Sequence, residues 1–391
     1  MQTLAFELSN SQRQYLGLMP VEPHWELVAL AGSYVYFDGD VIRKKISITP
    51  SSYYECELNE VTAENRTLLM PKTARGKAKK LNYTATLSFS PFGVYFKFSS
   101  SYLCIANYTT QSTFYDEQLQ DQTLDDLQVW LADWIGASTA QDLIEIDGFK
   151  TAKRKHQKIK AGDFFAFKIG RREWGFGRIL LDIGLLRKDK TFKANKNYGL
   201  SHLMGKALII KVYRHIQCDK AIELDQLAAM QSMPAQAIMD NQFYYGEHPI
   251  IGHLPLQDAD LEDLLISYHP SISGEDKDTV YLQYGLIYKE MSKAQHQTLI
   301  DAWTGNALVP EHRYFRNEGI GFSIDLDSNS DYLKQTRIDG AEVDFAESSL
   351  ALHSDDLRDP NLYAVKAEIF KAFGLDAALS YAENLKLFQL E

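Results

Sequence analysis

Cysteine is nearly absent. Cys56, Cys104 and Cys218 are the three in 391 residues. They are odd in number and far apart, which excludes a disulfide framework, and none belongs to a CxxC pair of the kind that holds zinc. Long apolar runs are missing too, since no stretch approaches the roughly 18 apolar residues that span a bilayer. The opening MQTLAFELSNSQRQYLGL has no basic flank followed by a continuous apolar run, so no secretory signal is expected and the cytoplasm is the expected compartment. The sequons at Asn65, Asn82 and Asn107 then read as chance matches, because glycosylation requires secretion. No fixed-period repeat and no long low-complexity tract is present.

Catalytic and cofactor signatures are equally scarce. There is no Walker loop, no GxSxG elbow and no HExxH pair. Gly175-Phe176-Gly177 is followed by Arg178-Ile179-Leu180, so the third glycine of a dinucleotide fingerprint is missing. The pair lies inside a strand pattern, where glycines let a strand bend or pack closely. His248 and His253 stand five apart across prolines without a third ligand at helical spacing, and read as ordinary loop residues. DLDSNSD (325–331) starts like a calcium loop, with Asp325, Asp327, Asn329 and Asp331 at alternate positions. Ser330 stands where the sharp turn needs glycine and Thr336 where a bidentate Glu is required, so a strand end is the plainer reading. No catalytic residue, metal or cofactor is therefore expected, and the chain reads as non-enzymatic.

What is present is apolar and aromatic: 45% of residues are hydrophobic, and 22 Tyr with 20 Phe favour β-rich cores. The length exceeds a usual domain of about 100–200 residues, which implies more than one unit. Charge is uneven. The net is −6 over residues 1–150, +13 over 151–220 and −18 over 221–391. The acidic part either docks on the basic part, or takes a basic ligand, or leaves the basic part to a polyanion.

The first block is mostly β. WELVAL (25–30) and SYVYFDGDVIRKKISI (33–48) predict a hairpin with Asp38-Gly39 as its turn. FSPFGVYFKFSS (89–100) and SYLCIANYTT (101–110) predict further strands, and the basic PKTARGKAKKLNY (71–83) an exposed loop. Leu124, Leu127, Leu131 and Trp134 share one face of a predicted helix, with Thr123 as cap and Gly136 as stop. DFFAFKI and WGFGRILLDI predict two strands joined by Gly170-Arg171-Arg172-Glu173, and KALIIKVYRHI (206–216) a third. Leu224 and Leu227 predict a short helix over 221–232, while HPIIGHLPL (248–256) reads as irregular. DTVYLQYGLIYKEM (278–291) is strand-like, and KAQHQTLIDAWTG (293–305) is helical. A helical pair is predicted around Gly374, opened by Asp359-Pro360.

The expected fold class is α+β, with two or more units, antiparallel sheets, and helices mainly in the C-terminal part. The expected organisation is a β-rich domain over 1–146 closed by a helix (119–136), a basic linker over 147–158, and an α+β domain over 159–391. That last domain combines a basic β-unit (159–217) with an acidic C-terminal region.

The most distinctive constellation is RREWGFGR (171–178). Arg171, Arg172 and Arg178 supply planar bidentate donors, and Trp174 and Phe176 supply stacking faces. Such a group binds phosphates and bases, or the acidic patch of a protein. The plainer reading is a hairpin with its aromatics in the core and its arginines in solvent. Arg171, Arg172, Trp174 and Arg178 are the expected exposed contact residues.

GDFFAFKIGRREWGFGRIL (162–180) resembles the opening motif of the immunity protein 26 family of bacterial polymorphic toxin systems. The matching positions are Lys160, Gly162, Asp163, Phe164, Phe165, Phe167, Phe176, Gly177, Arg178 and Ile179, and LIIKVYR (208–214) follows in the family's order. The resemblance covers about 160–290. It implies a protein that shields its own cell by binding the toxic domain of a secreted toxin, a task that needs a complementary surface and no catalytic residue. A basic toxin would suit the acidic C-terminal region. The alternative is a nucleic-acid-binding protein that uses the basic central β-unit, with binding that falls steeply with salt. A third reading, an unfamiliar enzyme, would require ionisable groups converging in a deep pocket.

Overall fold

The computed structural model describes residues 6–30, 33–62, 75, 89–190, 192, 199–271, 278–303, 314–324 and 356–389. Most of the basic loop 71–83, Asn65, Asn82 and the DLDSNSD segment lie outside the described residues. The chain divides into two compact units, 1–156 with 245–247, and 157–244 with 248–391. The class is mixed α+β with antiparallel sheets, and helices gather toward the C-terminal end at Tyr363–Ala372 and Tyr381–Gln389.

The first unit is a seven-stranded meander: β1 (Glu26–Leu30), β2 (Ser33–Asp38), β3 (Val41–Thr49), β4 (Ser52–Val61), β5 (Phe92–Ser99), β6 (Tyr102–Asn107) and β7 (Ser112–Gln118). Residues 33–48 are two strands turned at Gly39-Asp40, with Gly39 in the left-handed region at φ 60°. One sheet face buries Ile46, Tyr53, Phe96, Phe98 and Ile105 with Leu127, Leu131 and Trp134 of helix Leu124–Gly136. That helix begins later than residue 119, because the carboxylate of Asp126 caps Thr123 N at 2.9 Å. A second helix, Ala140–Thr151, follows behind an analogous Thr139–Asp142 box. It takes up the start of the stretch read as a linker, and 152–159 has no regular structure. Leu143, Ile146 and Phe149 turn to the core at three-residue steps, while Ile144 is 65% exposed.

Charge is buried in this unit as well. Glu55, wholly buried, accepts from Arg13 Nε at 2.9 Å, Lys44 Nζ at 2.5 Å and the Tyr53 hydroxyl at 2.5 Å. Burial alone would raise the Glu55 carboxyl, but Lys44 and Arg13 outweigh it and hold it below the usual carboxylate range.

The second unit holds a six-stranded sheet in the order β12-β8-β9-β10-β11-β16. Its strands are β8 (Asp163–Ile169), β9 (Glu173–Asp182), β10 (Ala207–Gln217), β11 (Gln236–Met239), β12 (Ile250–His253) and β16 (Ile320–Gly321). Every pairing is antiparallel except β11 with β16. HPIIGHLPL therefore contains an edge strand, with Pro249 and Pro255 outside the ladder, where a missing N–H is tolerated. A three-stranded sheet joins β13 (Ile266–Pro270), β14 (Thr279–Tyr284) and β15 (Ile287–Ser292). DTVYLQYGLIYKEM is thus a hairpin, turned at Gly285 with φ 53°. The largest core of the unit joins Leu180, Ile209, Ile266, Tyr281 and Tyr284 to Val365, Ile369, Phe370 and Tyr381 of the C-terminal helices.

Candidate binding surface

The β8–β9 hairpin pairs Phe164 with Arg178, Phe165 with Gly177, Phe167 with Gly175, Lys168 with Trp174 and Ile169 with Glu173. Alternation along β9 sends Trp174, Phe176 and Arg178 to one face and Gly175 and Gly177 to the other. The glycines make room for phenylalanine. A Cβ on Gly177 would stand 2.2 Å from the Phe165 ring and 2.7 Å from the Lys211 carbonyl, and one on Gly175 would stand 2.4 Å from the Phe167 ring. Close packing, not a phosphate loop, is their role. Gly177→Ala is expected to cost about 1–3 kcal/mol by overpacking. A urea unfolding curve with an unshifted midpoint would show that the Phe165 ring turns aside freely.

Gly162 and Asp163 have a comparable local reason. Gly162 sits at φ 91°, and a Cβ there would stand 2.5 Å from the Leu254 carbonyl. The neighbouring Asp163 carboxylate accepts from Lys160 N at 2.9 Å and meets His253 Nδ1 at 2.8 Å. The Lys160-to-Asp163 start of the motif is thus a seat for residues 253–254. His248 packs instead against the rings of Phe165, Phe167 and Phe243, so the two histidines serve different surroundings. Among the described residues no group of three or more His, Cys, Asp or Glu is placed to hold a metal ion.

The four arginine and tryptophan positions do not form one surface. Arg172 is exposed and Arg171 half-buried, both at the turn whose Gly170 has φ 61°. Trp174 is half-buried, and the ammonium groups of Lys168 and Lys220 each lie 4.8 Å from its ring centre. Arg178 is not the exposed contact residue expected, being 1% exposed. Its Nη1 donates to Asp260 Oδ1 at 2.8 Å, and its Nη2 to the carbonyls of Leu254 and Pro255 at 2.9 and 3.0 Å. Its guanidinium lies over the Phe164 ring at 4.5 Å. Lys211, opposite it on β10, also donates to Asp260 Oδ1 at 2.8 Å. Burial would raise the Asp260 carboxyl, but the bond from Gln257 N, Lys211 and Arg178 together hold it below the ordinary value. The pair of cations clamps the segment 254–260 onto the sheet.

The surface left at the hairpin end is Lys168, Arg172, Trp174 and Lys220, with His215 against Phe176. Sequence reading missed the two lysines. Lys168 was accessible from the hairpin register, which sets it opposite Trp174. Lys220 was not, because it arrives from beyond the bulge of β10 between Tyr213 and Ile216.

An aromatic side chain with ammonium groups beside it at a hairpin end is chemistry that can serve a macromolecular contact. Residues 160–278, less than half of the chain, match the model of the immunity protein 26 family. No curated protein and no solved structure matches the chain. No helix among the described residues is long and apolar enough to cross a membrane.

Proposed function

We propose that this chain is an immunity protein that binds and neutralises a cognate toxin domain inside the producing cell. The observation that supports this most directly is the family match over residues 160–278. The match coincides with the hairpin and the clamped 254–260 segment. In this reading the chain acts by stoichiometric binding in the cytoplasm and not by catalysis. The unit containing the match makes the contact, with Arg171, Arg172 and Trp174 at the hairpin end among the contact residues. Arg178 supports that surface from within.

The acidic excess of residues 221–391 is partly spent inside the fold. Asp260 holds Arg178 and Lys211, Asp356 holds Arg358 at 2.6 Å, and Glu262 accepts from Tyr381 N at 2.9 Å. The net charge of −11 would still draw a basic toxin at long range. Nucleic-acid binding is not favoured, because two cations of the basic β-unit, Arg178 and Lys211, are committed to Asp260.

The test is coexpression with the toxin domain encoded by the adjacent gene. Cells producing the toxin domain alone should stop growing, and cells also producing this chain should grow. No toxin gene nearby, together with no rescue in any pairing, would remove the proposal.

A further inference from the structure

We infer that one small monovalent anion, the size of chloride, binds beside Arg178, Lys211 and Tyr213 on the sheet face that segment 254–260 covers. Its donors are the Tyr213 hydroxyl, Arg178 Nε and an N–H of Lys211. The inference goes beyond the immunity reading and does not depend on it.

Three observations carry it. The first is a charge imbalance in the interior. Arg178, Lys211 and Asp260 are 1%, 8% and 8% exposed, so two buried cations meet one carboxylate. Both bond Asp260 Oδ1 at 2.8 Å, and Asp260 Oδ2 accepts from Gln257 N at 2.8 Å. A surplus positive charge away from water is costly unless an anion meets it.

The second is a pair of buried donors without acceptors. Arg178 Nε and the Tyr213 hydroxyl make no hydrogen bond. Folded interiors rarely leave such groups unpaired. Burial pushes the Tyr213 hydroxyl up, so it keeps its proton at neutral pH and is a donor. Arg178 stands close to that hydroxyl without the geometry of a hydrogen bond. Even a donation from Arg178 to the phenol oxygen would leave the phenol proton without an acceptor. Lys211 Nζ makes one hydrogen bond, to Asp260, and so keeps N–H groups of its own.

The third is that these groups adjoin. Lys211 pairs with Arg178 across β9 and β10, and Tyr213 lies two residues further on the same face. Lys211 Nζ is 5.4 Å from the Tyr213 ring centre. The Arg178 guanidinium lies over Phe164, whose ring stacks on Tyr213 at 6.0 Å between centres. Phe164, Phe176 and Leu227 fill the rest of this face and are wholly buried. They offer nothing to the further oxygens of phosphate or sulfate, which favours a monatomic anion. A water would accept these donors too, but it brings two protons and no charge.

Bromide is the probe, exchanged for gluconate at fixed ionic strength so that general screening stays constant. Bromide at about ten times its Kd should raise the melting temperature of this unit in the full chain by about 3–6 °C, saturably. Tyr213→Phe keeps the stacked ring and removes only the hydroxyl. In gluconate it should be at least as stable as the parent, because it deletes a buried donor that has no partner. In bromide it should gain less than the parent. Crystals of the full chain grown with bromide should show a bromine anomalous peak in contact with Tyr213 Oη and Lys211 Nζ. Equal bromide responses of parent and Tyr213→Phe would overturn the inference. So would crystals with a water, or no anomalous peak, at those atoms. Neither result bears on toxin binding, so the immunity reading stands or falls separately.

Discussion

Asp260→Ala is expected to lower the unfolding free energy of its unit by about 3–5 kcal/mol, because it strands two buried cations at once. Arg178 and Lys211 are 1% and 8% exposed, and both bond the same Asp260 oxygen at 2.8 Å. A surface ion pair broken in this way would cost well under 1 kcal/mol. The loss should also be local. Hydrogen exchange should speed up in residues 254–260, whose carbonyls Arg178 holds, more than in β13–β15. The pH dependence has a definite sign. The folded carboxyl sits below its ordinary value, so its stabilisation is complete above the unfolded value of about 4 and fades as pH falls through the folded value. The gap between parent and Asp260→Ala should therefore be largest near neutrality and narrow in acid. An unchanged urea midpoint at pH 7 would mean that the clamp adds nothing to stability.

The other large effect belongs to the first unit. Glu55→Ala should cost about 3–5 kcal/mol, since Lys44 is wholly buried and Arg13 nearly so. Arg13 retains Glu7 at 2.8 Å, and Lys44 retains the Met19 carbonyl at 2.7 Å, so neither cation is left bare. Those remaining bonds are not a buried countercharge. Replacing the set together, Arg13→Leu, Lys44→Met and Glu55→Leu, should cost much less than Glu55→Ala alone, because no unpaired charge then stays inside. A triple variant less stable than the single one would contradict this account of the cluster. Here too acid removes the contribution, because the carboxyl of Glu55 is held below its ordinary value. Glu57 works in the opposite sense. Burial pushes its carboxyl up, so that ionising it costs stability as pH rises through the ordinary range.

These buried charges also mark where the sequence stopped being legible. Leu124, Leu127, Leu131 and Trp134 announce their helix because all four face one way. DFFAFKI and WGFGRILLDI announce their hairpin because the turn between them is short and polar. β4 carries Glu55 and Glu57 on buried positions, so its alternation does not read as a strand's. Helix Ala140–Thr151 hides for a related reason: its inward residues Leu143, Ile146 and Phe149 are interleaved with the exposed Ile144 and the buried, charged Asp142, and Gly148 resembles a turn residue. The Thr139–Asp142 box was the signal that could have revealed it.

The candidate surface was legible in part. Its location on the RREWGFGR hairpin follows from local sequence, and so does the role of the two glycines once the facing phenylalanines are aligned. The fate of Arg178 does not, because its countercharge lies 82 residues away. Until the chain brings Asp260 back over the sheet, three arginines in eight residues look alike. The structure separates them by position along the hairpin, with Arg172 at the exposed turn and Arg178 four residues beyond Trp174 on the same face, where the segment 254–260 covers it.

Calorimetric titration of the purified chain into the purified toxin domain of the adjacent gene tests the central claim most directly. Saturation at one chain per toxin, with nanomolar or tighter Kd, and toxin activity falling in step with occupancy, is the predicted result. No heat of binding at micromolar concentrations, or toxin activity that declines without a stoichiometric endpoint, would contradict it.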